Sequence, residues 1–147
     1  MAVTKKEYEQ ITNKTTTNSP AYKNIPLAFL FGGLICAIGQ ALVNMYKSFG
    51  LDTADASLSC SVTLIFIAAL LTGLKVFDNI AKHAGAGTLV PITGFANSVV
   101  APALEFKSEG LVLGIGAKMF VIAGPVLVYG ITASVIYGII LYLFNLV

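Results

Sequence analysis

KHAGAGTLVPITGFANSVVAPALEFKSEGLVLGIG, residues 82–116, is the stretch whose reading decides how this chain can fold. It is apolar enough for membrane depth, yet Gly85, Gly87, Pro91, Gly94, Pro102, Gly110, Gly114 and Gly116 interrupt it too often for an ordinary helix. Irregular backbone at that depth persists only where protein buries it or a water-filled cavity lies beside it, because lipid cannot bond its N–H and C=O groups. A pathway for a polar solute is the first expectation, with Gly85, Gly87, Pro91, Gly94 and Pro102 as candidate gate or hinge residues. On a hinge reading, valine at Gly94 locks the segment; in a packing seam with room to spare it costs little.

Composition sets the class. The 147 residues are 56% hydrophobic and 11% charged, with a mean hydropathy of +0.85, against roughly 25% charged for a soluble domain. The expectation is an all-α integral membrane protein with three transmembrane helices and a Gly/Pro-interrupted fourth element, either kinked or re-entrant. Residues 1–24 read as a cytoplasmic tail and 25–147 as one membrane domain, with spans at about 25–46, 57–76 and 126–146 and the interrupted element at 88–124. In the tail, Thr4 and Glu7 have the spacing of a capping box, which predicts a short surface helix over 3–14 as the alternative to a solvated segment. The first apolar run follows a long polar lead without a cleavage site, so it reads as a retained span.

In the first span Gly32, Cys36, Gln40 and Asn44 recur every four residues, a stripe that either packs a neighbouring helix, with Gln40 bonding across, or lines a pore. Pro26 is expected in the first helical turn and Asp55 as the cap of the second helix. The hydroxyls of SLSCSVT (57–63) can bond carbonyls one turn back, and Ala69 with Gly73 forms a small-residue pair. A break near Gly124 and Pro125 is expected, leaving a last span whose Gly130, Ser134 and Gly138 make a second packing seam. GLIxxIG at 33–39 echoes GLVxxIG at 110–116, as a decayed duplication or as chance in a Gly- and Leu-rich chain.

Lys5, Lys6, Lys14 and Lys23 precede the first span, which places the amino terminus in the cytoplasm by the positive-inside rule. The nine lysines and net charge of +2 are spread thinly, which argues against nucleic acid as a partner. One histidine, two isolated cysteines and seven acids in turns or the tail give no catalytic arrangement and no metal set, so neither enzyme activity nor cofactor is expected. The remaining chemistry suits a permeating ion or acid. Lys82, His83, Glu105, Lys107, Glu109 and Lys118 are candidate pore-mouth charges, although such residues also mark a water interface. Three or four helices cannot enclose a wide pore, so a homo- or hetero-oligomer in the lipid bilayer is expected.

YKNIPLAFLFGGLICAIGQAL (22–42) and GAGTLVPITGFANSVVAPALEFKSEGLVLGIGAKMFVIAGPVLVYG (85–130) resemble the SpoVA family of stage V sporulation membrane proteins. GGLICAIGQ favours the AC branch over the paralogous AE-b branch. The resemblance implies an integral protein of the spore inner membrane, partnered by other SpoVA proteins including the AE-b subunit. It further implies a complex that moves dipicolinic acid with calcium during sporulation and germination, with a tension-sensitive channel activity. It supplies no catalytic residues.

Overall fold

Residues 20–144 are described by a computed structural model; the helix expected over 3–14 lies outside them. Three helices are long and apolar enough to cross a membrane: α1 (Ala21–Ser48), α2 (Thr53–Gly73) and the run Leu111–Leu143. Between the second and third lie α3 (Phe77–Ala84), α4 (Ala86–Leu89), α5 (Ile92–Glu105) and a 3-10 turn at Lys107–Glu109. The last run begins as a π-helix over Leu111–Gly116 and continues as α6 (Phe120–Leu143). No strand occurs among the described residues, and the all-α membrane class holds.

Each helix boundary has a local cause. Asp52, not Asp55, caps α2: its side chain accepts the Asp55 N–H at 2.8 Å, satisfying a donor that the first turn leaves free. α1 starts at Ala21, behind Pro20, so Pro26 falls in the second turn rather than the first. Both α1 and α2 end in the same motif. Leu51 N–H bonds Tyr46 O and Gly50 N–H bonds Lys47 O; in α2, Val76 N–H bonds Leu71 O and Lys75 N–H bonds Thr72 O. This Schellman closure puts the residue after the cap in the left-handed region, Gly50 at φ 92° and Lys75 at φ 59°.

Hydroxyls in α2 bond one turn back, as their spacing predicts: Ser57 to Thr53 O, Ser61 to Ser57 O and Thr63 to Ser59 O. With the Thr63 proton so used, Tyr46 OH donates to Thr63 Oγ1 at 2.6 Å and joins α1 to α2. Cys60 Sγ–H reaches Gly39 O at 3.3 Å at the same seam. The close-packed small residues of α2 are Ala68 and Thr72, both buried, rather than Ala69 and Gly73, because α5 approaches one position to the side; a Cβ on Gly73 would meet nothing within 4 Å.

The interrupted region forms a hairpin. α3 is amphipathic: Phe77, Ile80, Ala81 and Ala84 share one face, and Asp78, Asn79, Lys82 and His83 the other. α4 lies on the first half of α1, Gly87 against Ala28 and Gly32. The chain turns at Pro91, which is extended at ψ 165°. α5 then runs in the direction of α2, Ala96 packing on Ala68 and Phe77, and Asn97 meeting Thr72. Its far end, at Leu104 and Glu105, shares a cleft with Thr72, Gly73 and Lys75 at the end of α2. Fourteen residues give α5 a length of about 21 Å, short of the roughly 30 Å hydrocarbon core. The hairpin therefore enters and leaves the bundle at the end where α1 begins, and the kinked-span alternative is not what forms.

Two expected breaks do not occur. Pro102 lies inside α5 and Pro125 inside α6. Gly124, lacking a Cβ, removes much of the clash that a proline ring makes with the residue before it. The irregularity sits earlier, in the π-helix that starts at Gly110, whose φ of 97° and ψ of 173° suit glycine. The echoed segments consequently differ in structure, 33–39 being regular α-helix and 111–116 π-helix.

Candidate functional site

The hairpin has two flanks and a tip. On one flank Lys82 and His83 border a groove of about 280 Å³ with Asn24, Ile25, Ala28, Gly85 and Ala86. His83 Nδ1 lies 3.0 Å from Asn79 O, which can only accept, so Nδ1 carries the proton and donates. On the other flank the ends of α2 and α5 and the start of α3 enclose a cleft of about 620 Å³, lined by Thr72, Lys75, Asp78, Glu105 and Lys107 among others.

The six candidate pore-mouth charges are thus divided. Lys82 and His83 stand on the first flank, Glu105 and Lys107 on the second. Lys118 lies over the Phe106 ring, 4.6 Å from its centroid, a cation–π contact in place of a carboxylate partner. Glu109 closes the 3-10 turn, where its Cβ is 3.0 Å from the Cβ position of Gly114. Among the described residues no three His, Cys, Asp or Glu side chains gather as a metal set.

At the tip an apolar cavity of about 320 Å³ separates the hairpin from α1 and α2, bordered by Phe31, Ile35, Leu64, Ala68, Thr88 and Thr93 among others. Its largely apolar lining disfavours water, which needs polar partners to enter. Thr93 Oγ1 is buried without a hydrogen-bond partner. Nearer the second flank, Thr72 Oγ1 lies 2.7 Å from Ala68 O and 2.9 Å from the Asn97 side-chain amide. The hydroxyl donates, its one proton shared between the Ala68 carbonyl and Asn97 Oδ1.

The gate candidates fall into different classes. Gly87 and Gly94 are close approaches: a Cβ on Gly87 would overlap the Ala28 carbonyl, and one on Gly94 the Thr88 and Leu89 carbonyls. There is no room to spare at Gly94, so valine there breaks packing whether or not the segment is a hinge. Gly85, at φ 50° and ψ −124°, has open space around it and is held to glycine by backbone conformation alone. Pro91 forms the turn and Pro102 lies within α5.

The four-residue stripe on α1 is split as well. Gly32 and Cys36 border the α4 contact, whereas Gln40 Nε2 donates to Asn44 Oδ1 at 3.0 Å along the same helix. Gln40 does not reach a neighbouring helix among the described residues, because a four-residue repeat drifts around the helix and its upper half turns away from both α2 and the hairpin. On α6 a Cβ on Gly130 or Gly138 would meet nothing within 4 Å, and Ser134 donates to Gly130 O. Three contributors escaped the sequence reading as site residues: Lys75, Asp78 and Asn97. The apolar i, i+3, i+4, i+7 pattern from Phe77 to Ala84 was the available signal for α3 and hence for Asp78. A lone amide in the apolar run around Asn97 was the other.

The sequence profile of the SpoVAC/SpoVAEB sporulation membrane protein family matches residues 24–140. Stage V sporulation protein AC of Bacillus subtilis (strain 168) is 51% identical over 134 residues, covering 90% of this chain and 89% of that protein. No solved structure matches the chain.

Proposed function

The chain belongs to the SpoVAC/SpoVAEB family of sporulation membrane proteins, and on that premise we propose that it is a subunit of a spore inner-membrane complex that moves dipicolinic acid with calcium. In this reading the hairpin lines the route, the amino terminus is cytoplasmic, and other SpoVA proteins, the AE-b subunit among them, complete the pore. The observation that carries it is the hairpin itself: irregular backbone from Gly85 to Pro91, packed between spans, with charged flanks at the end of the bundle from which it enters. Its movable joint is Gly85, free of steric neighbours, rather than Gly87 or Gly94.

A scaffold reading has its own support, the uncovered Gly130 and Gly138 on α6 and the absence of any buried residue on α1. In it this chain holds a partner's pore together and conducts nothing. Reconstitution of the purified chain alone in liposomes separates the two: a channel subunit sufficient in itself releases trapped dipicolinate under applied tension, and a scaffold does not. If only co-reconstitution with its paralogues gives release, replacing Lys82 or Glu105 by Ala is expected to change selectivity without changing assembly. Unchanged transport in both variants moves the route away from the hairpin.

A further inference from the structure

We propose that the cleft between the ends of α2 and α5 and the start of α3 is a binding site for a small solute that presents carboxylates together with a cation, with Lys75 contacting the carboxylate. The choice of probe below rests on the function proposed above; the site rests on the following geometry.

α1 and α2 close with the same pair of backbone hydrogen bonds, and the left-handed position is filled by Gly50 in one and by Lys75 in the other. Glycine is the default at that position because a Cβ is disfavoured there. In α2 the chain carries a lysine instead, an exposed residue that lines the cleft. At about 620 Å³ the cleft has the size of a small-molecule site.

The lining has both signs: Lys75 and Lys107 against Asp78 and Glu105. A ligand of one sign would meet two repelling groups, whereas one bearing carboxylates and a cation meets complementary charge on each side. The carbonyl ends of both α2 and α5 reach this cleft and add partial negative charge toward the cation. At the floor, Thr72 is buried and held by Ala68 and Asn97, so the lower wall is preorganised.

Lys75→Gly removes the charge and relieves the left-handed strain at once, so loss of binding in this variant cannot come from loss of fold. The full chain in phosphatidylcholine nanodiscs is titrated with dipicolinate in the presence of calcium, and separately with citrate and calcium. Wild type is expected to bind the dipicolinate, Lys75→Gly to bind it roughly tenfold more weakly, as for one charge-assisted contact, with an unchanged or raised thermal midpoint. Lys47→Ala, in the last turn of α1 and outside the cleft, is expected to bind as wild type does. Wild-type binding that Lys75→Gly leaves intact overturns the site and leaves the proposed function standing. Binding of citrate alone, weakened by Lys75→Gly, supports the site and removes the proposed solute. Binding of neither compound by wild type overturns the site.

Discussion

The hairpin and the last helix are built from the same materials, glycines a few residues apart, an internal proline and a long apolar run, yet they use them in opposite ways. In the hairpin the glycines are consumed inside the chain: Gly87 admits the backbone of α1 at Ala28, and Gly94 lets the first turn of α5 sit on the last carbonyls of α4. On α6 the corresponding positions face open space, and Ala123 is the only buried residue of that helix. Spacing of small residues therefore says that close approach is available, and not with what. In the hairpin the approaching group is known. For α6 it is not among the described residues.

The largest test of this contrast is Gly87→Val. A branched side chain would have to displace the Ala28 backbone, and the expected loss is about 3 kcal/mol or more, at the upper end of overpacking. Thermal unfolding of the purified chain in detergent reads it; a midpoint within a degree of wild type would mean that α4 does not lie on α1. Gly94→Ala is next, expected to cost about 2 kcal/mol despite its gain in helix propensity, because the added Cβ meets two carbonyls. The same measurement made on Gly130→Ala should show the opposite sign, a gain of up to about 1 kcal/mol for the isolated chain. If the isolated chain instead loses stability, α6 has an intramolecular neighbour, and the contrast fails. If the gain appears but cross-linked oligomers are lost, the seam is a subunit contact.

Helix caps sharpen the comparison on a smaller scale. Asp52→Ala should destabilise by about 1 kcal/mol through loss of the bond to Asp55 N–H, while Asp55→Ala should cost only a few tenths. Equal effects would mean that the two carboxylates act through charge alone. Thr72→Val is expected to cost about 1 kcal/mol or less, since the methyl fills the space of the hydroxyl and the lost bonds are partly offset by the apolar surroundings. A loss of several kcal/mol would show that Asn97 depends on Thr72 for its place.

Much of the fold was legible in the residues. Low charge and long apolar runs dictate membrane helices, since the backbone has no other way to satisfy itself in lipid. The clustering of Gly and Pro from 85 to 116 likewise announces an interruption. Where it falls was not legible. Pro91, Pro102 and Pro125 look alike in one dimension, but only Pro91 precedes a glycine that allows the next helix to fold back against the last turn. Pro125 follows a glycine that relieves its clash, and the helix continues. The pore-mouth charges were recognisable as interfacial, and their division into two flanks was not, because that depends on α5 returning beside α2. Gly32, Cys36, Gln40 and Asn44 formed one stripe on paper and two environments in space.

By itself, then, the sequence determined the solvent, the helical class and the residues free to approach closely, because these follow from hydropathy and from the absence of a Cβ. Tertiary structure alone decided that the interrupted element is a hairpin, that Lys75 and Asp78 share a cleft with Glu105 and Lys107, and that Gly94 is packed against carbonyls whereas Gly85 is not. Those outcomes depend on which face of α2 receives α5, and no local pattern in either segment encodes that choice.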